Sequence, residues 1–265
     1  MNEIFDKMKT RILCLSDLHI NVQPEALESG IVHPFARQVA ELAEEITPDV
    51  VVLTGDTIVP NALEHLNSLL RQMFPGDYPV VLTLGNHEFW GRTFDETLDV
   101  VGKLATFGDE RFHYLDHESN FIFRNLNFVG GTLFFDGSMR ISESQKITQW
   151  DGWNDWMIKG IEKRYRDFNR FYTKRIRQDW NRERINVLCT HHLPHEGLNG
   201  HTPSHYSFYS GMKDFLSELP HDGNTPQYAI CGHTHQRVIG EILPGFMGVN
   251  VGSDYGKLQH YILEI

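Results

Sequence analysis

The sequence predicts an α/β fold, and three observations carry that prediction. Short runs rich in Val, Ile and Leu alternate with segments whose apolar residues recur every three to four positions, the marks of buried strands and amphipathic helices. The spacing between the first strands is that of crossover connections, so they pair in parallel. Five of the runs, RILCLSDLH (11–19), VVVLTGD (50–56), VVLTLGNHE (80–88), INVLCTHH (185–192) and YAICGHTH (228–235), stop at side chains able to bind metal. Packing gives no reason for that coincidence, whereas a dinuclear metal centre does.

In chain order, a strand is expected at 11–16. Pro34 opens a helix that runs to Ile46, with Val39, Leu42, Ala43 and Ile46 on one face, since proline fits the first helical position. A strand at 49–54 follows, with Asp49 as a turn residue at its start. A helix from Pro60 carries Leu63, Leu66, Leu69, Leu70 and Met73, and is followed by a strand at 79–84 and a helix over 94–106. Short strands at 112–116, 120–124 and 126–132, with Asn/Gly turns, suggest a more antiparallel section. The polar-aromatic stretch 144–181 places Trp150, Trp153, Trp156, Ile161, Tyr165, Phe168, Tyr172, Ile176 and Trp180 at roughly helical spacing. Two helices or one kinked helix are expected there, covering a sheet edge. Its Asp and Glu content favours core packing over a base-stacking surface. A loop rich in His, Gly and Pro (194–210) leads to a helix at 212–219. Strands at 227–231, 237–242, 246–251 and 257–264 then form a second, partly antiparallel sheet. No repeat or linker divides the sequence, so one domain over 1–265 is expected, with a helical aromatic-rich insertion at about 144–181.

Composition narrows the function. A net charge of −11 argues against binding long nucleic acid, which needs concentrated Lys and Arg, while short nucleotides stay open. No stretch nears the roughly 18 apolar residues of a membrane span, and MNEIFDKMKTRILC does not read as a signal peptide. Three cysteines, Cys14, Cys189 and Cys231, sit inside apolar runs; so sparse and odd a set fits a reducing, cytoplasmic setting and buried strand positions.

The strand-end clusters carry the chemistry. Asp17 and His19 are two residues apart, and in extended chain such a pair faces one way. Gly55 permits a tight turn before Asp56, whose two oxygens can bridge two cations. Asn86 adds a neutral carbonyl donor, His191 and His192 follow an apolar run, and His233 and His235 repeat the two-residue spacing. In parallel sheets functional groups gather beyond the carboxyl ends of the strands, and buried Asp and His that converge need cations or one another.

Taken in order, DxH, GD, GNHE, THH and GHTH resemble the motifs of the calcineurin-like metallophosphoesterases, over residues 17–235. The resemblance implies a four-layer α/β/β/α sandwich with two mixed sheets. It implies a metal-dependent phosphoric ester hydrolase acting through a metal-bound hydroxide on a small phosphate ester, monoester or diester, or on a nucleotide. It also implies two divalent or trivalent ions: Asp17, His19, Asp56 and His235 around one, and Asp56, Asn86, His191 and His233 around the other, with Asp56 shared. The motif position favours His191 over His192 as ligand. Leu193 stands where many relatives have proline, a departure that leaves the donors untouched. Nitrogen and oxygen donors without sulfur suit Mn, Fe or Zn. His87 is expected to be catalytic with Asp56, as general acid or phosphate-holding cation, and Glu88 to accept an imidazole N–H. Arg92, His192 and His195 are candidate substrate contacts beside His87; His201 and His205 share the loop, and Asn250, Gly252, Ser253 and Tyr255 form either a turn or a loop beside the metals. A protein phosphatase is disfavoured because Gly55-Asp56 continues Thr57-Ile58-Val59-Pro60. A nuclease, or a non-catalytic scaffold that keeps the fold and binds partners, are the alternatives; scaffolds of this kind tend to lose ligands, and here the set is complete.

Overall fold

A computed structural model describes residues 9–29, 31–145 and 154–265. The elements run β1 (Arg11–Leu15), α1 (Pro24–Glu28), α2 (Pro34–Ile46), β2 (Val50–Thr54), α3 (Leu66–Met73), β3 (Val80–Thr83), α4 (Asn86–Phe89), α5 (Phe94–Phe107), β4 (Phe112–Tyr114), β5 (Asn120–Phe123), β6 (Leu126–Gly131), α6 (Ile161–Asp179), β7 (Ile185–Thr190), β8 (Gln227–Cys231), β9 (Val238–Leu243), β10 (Phe246–Asn250) and β11 (Tyr261–Glu264).

They form two mixed sheets, with strand orders β11-β1-β2-β3-β4 and β5-β6-β7-β8-β10-β9. In the first sheet β1 to β4 are parallel and β11 antiparallel. In the second, β6, β7, β8 and β10 are parallel, with β5 and β9 antiparallel at the edges. Side chains alternate along each strand, which divides the core. Ile12, Cys14, Val52 and Val81 meet Phe128, Val187, Cys189 and Ile230 between the sheets. The opposite faces bury Leu13, Val51 and Leu82 under α2, α3 and α5, and Val129 and Leu188 under α6. The layers are therefore α/β/β/α. All three cysteines are free and buried in strands, and burial pushes their thiols up.

Four expectations need correction. β4 pairs parallel to β3, so antiparallel pairing begins only at β5. The segment from Pro60 opens as a 3-10 turn, Pro60–His65, before α3. Residues 212–219 are not an α-helix; only Leu216–Glu218 makes a 3-10 turn. There the backbone is bonded sideways to the loop before it, with Met212 N–H on Leu193 O (2.8 Å) and Leu216 N–H on Pro194 O (3.3 Å). The last strand is confined to Tyr261–Glu264 by a turn at Asp254–Lys257. In α6, Tyr165, Phe168, Tyr172 and Ile176 are buried as their spacing predicts, whereas Trp156 is exposed; Trp150 and Trp153 lie outside the described residues. Among the described residues no helix is long and apolar enough to cross a membrane.

Candidate metal centre

The chain leaves β1, β2, β3, β7 and β8 at their carboxyl ends, and the following turns bring seven polar side chains into one cluster. Five of them do so in left-handed backbone: Asp17 (φ 51°), His19 (45°), Asp56 (49°), His233 (73°) and His235 (54°). This corrects the extended-chain argument for Asp17 and His19, because β1 has ended at Leu15 and the pair is aimed by two tight turns. Non-glycine residues held there cost on the order of 1 kcal/mol or more each and cluster at functional sites. Gly85 is required by close approach, since a Cβ there would overlap the Asp56 carboxylate.

On one side of the cluster, with the imidazoles neutral, the hydrogen bonds leave only acceptors facing inward. His191 Nδ1 donates to Thr54 O (2.9 Å) and His233 Nε2 donates to Tyr209 O (3.1 Å), since a carbonyl can only accept. The Asn86 Nδ2 group donates to Asp155 Oδ1 (2.6 Å). What remains is His191 Nε2, His233 Nδ1 and Asn86 Oδ1, mutually 2.8–3.2 Å apart, with Asp56 Oδ2 3.4 Å from His191 Nε2. On the other side His235 Nδ1 donates to Asp254 Oδ1 (3.1 Å) and turns Nε2 toward His19 Nε2 (3.1 Å) and Asp17 Oδ1 (3.6 Å). His19 Nε2 is 3.9 Å from Asp56 Oδ2. Lone pairs about 3 Å apart repel unless a cation lies between them, and this is the spacing of adjacent ligands at bond lengths of roughly 2.1 Å. Two groups of donors that share Asp56 therefore fit two metal ions.

The electrostatics agree. Burial keeps His19 (about 4) and His233 (about 3) neutral, as ligands must be. Burial also opposes a charge on His191, but the Asp56 and Asp17 carboxylates outweigh it and push His191 to about 10, so the site draws positive charge. Burial works against Asp56 as well, yet His191, His87 and His19 hold it well below the usual carboxylate range.

His87 lies beside this cluster with its side chain 16% exposed and Nε2 3.7 Å from Asp56 Oδ2. Its ring stacks on Trp90 at 3.6 Å. A cavity of about 570 Å³ opens over His87 and His233, walled by Trp90, Tyr206, Tyr209 and Tyr255.

Several expectations move. His192 is fully buried beside Phe134 and Phe135 and away from the cavity, so it is neither a donor in the cluster nor placed to meet substrate. Arg92 turns away to bond Glu64 (2.8 Å), and His195 caps a turn by accepting from Gly197 N (3.0 Å). Neither lines the cavity, whereas His201 does. Glu88 accepts no imidazole N–H. Its carboxylate takes the backbone N–H groups of Gly85 (2.7 Å), Asp56 (3.1 Å), Thr57 (2.6 Å) and Ile58 (3.1 Å), tying two ligand turns together. Glu88→Gln puts an NH2 against these donors, so it should lower stability by about 2–3 kcal/mol; urea denaturation checks this, and an unchanged midpoint would refute it.

Sequence reasoning missed Asp155 and Asp254, which orient Asn86 and His235. Tyr255 stacks on His19 at 4.1 Å, and Asn250 pins Thr234 (2.8 Å), so the loop after β10 lies beside the cluster.

The calcineurin-like phosphoesterase family profile matches residues 10–237. A search of curated protein sequences finds no match. Among solved structures, the fold is similar to a phosphopantetheinyl hydrolase from Mycobacterium tuberculosis, with 16% identity, 96% of both chains covered and a TM-score of 0.61. A dimetal phosphatase from Danio rerio matches with 13% identity, 91% and 86% coverage and a TM-score of 0.48.

Proposed function

This chain belongs to the calcineurin-like phosphoesterases, metal-dependent hydrolases of phosphoric esters, and from that premise we propose a specific arrangement of its centre. Asp17, His19, Asp56 and His235 hold one cation; Asp56, Asn86, His191 and His233 hold the other. The observation that carries this reading is the convergence of these side-chain atoms, with N–H groups of His191, His233, Asn86 and His235 committed outward. Mn, Fe or Zn suits the nitrogen and oxygen donors. Two such cations, when bound, acidify water and neutralise phosphoryl oxygens during in-line attack.

The chain's own residues supply the rest. Asp56 fixes the two donor groups in register, and its Oδ1 accepts from His87 N (2.9 Å), which sets the backbone of the catalytic turn. His87 faces the cavity and protonates the leaving group or holds a phosphoryl oxygen. The substrate is a phosphomonoester or phosphodiester of a small molecule or nucleotide, a reading supported by a cavity of about 570 Å³ with aromatic walls, within the usual range for small ligands. The negative net charge disfavours a nuclease, and free buried thiols fit a cytoplasmic location.

Metal analysis together with assays of p-nitrophenyl phosphate and bis-p-nitrophenyl phosphate tests the function. Stripping with a chelator should abolish hydrolysis and Mn²⁺ should restore it. Purified protein that holds no divalent metal and gains no activity with Mn²⁺ would overturn the assignment. Because His191 is pushed to about 10 without metal, binding must displace its proton. Affinity should thus rise from pH 7 to pH 9, with about one proton released per protein by calorimetry in buffers of different ionisation enthalpy; pH-independent affinity would count against His191 as a ligand.

A further inference from the structure

We propose that Asp155 is a positioning residue that locks the Asn86 amide with its oxygen facing the donor cluster, so that a segment outside the five motifs sets the affinity of one metal position. The inference rests on Asn86 being a ligand, as argued above.

A carboxamide has nearly the same shape either way round, and a flip exchanges Oδ1 with Nδ2 at little steric cost. On its inner side Asn86 faces His191 Nε2 at 2.8 Å and His233 Nδ1 at 3.0 Å. In the state in which they act as ligands both nitrogens present lone pairs, because each ring then has its one N–H on a backbone carbonyl. Facing rings in that state, an unrestrained amide would turn its NH2 inward, bond both rings and offer nothing to a cation.

The outer side prevents this. Asp155 Oδ1 accepts the Asn86 N–H (2.6 Å) and the Trp90 indole N–H (2.9 Å). A carboxylate offers only lone pairs, so a flipped Asn86 would set its oxygen against the Asp155 oxygen. Asp155 is 2% exposed, which leaves little room for water to take over its role. It sits in a 3-10 turn, Asn154–Met157, bonded to the chain that follows α4 through Gly91 N–H to Met157 O (3.0 Å) and Lys159 N–H to Arg92 O (2.8 Å). Trp90, anchored by the same oxygen, stacks on His87. One carboxylate thus aligns a metal donor and the aromatic support of the catalytic imidazole.

The test titrates Mn²⁺ into chelator-stripped, full-length protein by calorimetry for wild type, Asp155→Ala and Asp155→Asn. Asp155→Ala should weaken one of the two cation sites about 10–100-fold, the usual effect of losing a group that orients a ligand. Asp155→Asn keeps an acceptor oxygen and should bind close to wild type. A merely structural role gives a different pattern: both sites weakened together, in Asp155→Asn as well as in Asp155→Ala. That pattern, or unchanged affinity in Asp155→Ala, overturns the proposal. Wild type that binds no metal at all would instead fail the functional assignment. Should Asp155→Ala not fold, NMR of stripped wild type decides the point. A nuclear Overhauser contact between the Asn86 amide and Trp90 indole protons supports the locked orientation, and its absence overturns it.

Discussion

An Asp56→Asn variant is expected to fold, to lose metal and to lose turnover by at least about 10³-fold, since removing one preorganised electrostatic contact alone costs roughly 10²–10³. The expectation follows from where the carboxylate sits. Its Oδ1 accepts the His87 backbone N–H (2.9 Å), and asparagine can keep that bond through its own oxygen. Its Oδ2 lies between the two donor groups, 3.4 Å from His191 Nε2 and 3.9 Å from His19 Nε2. An NH2 there would remove the one negative atom that both cations share in the proposed arrangement. Metal content should therefore fall below two per chain, and turnover with it. Inductively coupled plasma analysis beside a p-nitrophenyl ester assay measures both. Two metals retained with an unchanged rate would exclude a bridging role for Asp56.

The different fates of Asp56 and Asp155 show what a sequence can reveal about such a site. Asp56 follows a fully buried strand, Val50–Thr54, so its place at a carboxyl end can be read from the run before it. The same holds for His191 after β7 and for His233 and His235 after β8. Asp155 is 69 residues from Asn86 in sequence, and its neighbourhood carries no strand-end signal. Only tertiary packing makes it a partner. Asp254 lies inside the turn that follows β10, yet nothing local distinguishes it from a capping residue until His235 is placed 3.1 Å away.

Local conformation was the other hidden quantity. Asp17 and His19 do share a donor group, whereas His233 and His235 face different ones, and all four are aimed by positive φ, a geometry that hydrophobic periodicity cannot encode. The turn at 86–89 was likewise invisible as helix, because four residues are too few to show an apolar period. Helix α2 and strands β2 and β8 were legible because their apolar periodicity coincides with their burial. The error at 212–219 has the opposite cause, a helix-like pattern overruled by bonds to residues 193 and 194.

His87→Asn should leave both cations in place and slow hydrolysis by about 10²–10⁴-fold for esters with poor leaving groups, the range for a lost proton transfer. Nothing in the proposed metal coordination uses its ring. The imidazole lines the cavity, stacked on Trp90 at 3.6 Å and 4.6 Å from the His19 ring, with Nε2 3.7 Å from Asp56 Oδ2. From that position it would meet the departing alcohol of a substrate whose remaining part occupies the aromatic walls. A leaving group that is already a weak base, such as p-nitrophenolate, needs no proton, so the variant should lose least on it and most on alkyl esters. The slope of log rate against leaving-group pKa is the measurement, taken with metal content on the same preparations. A steeper slope in His87→Asn identifies the proton donor. Parallel lines, with every ester slowed alike, would assign His87 to holding a phosphoryl oxygen, and the proton would then have to come from solvent.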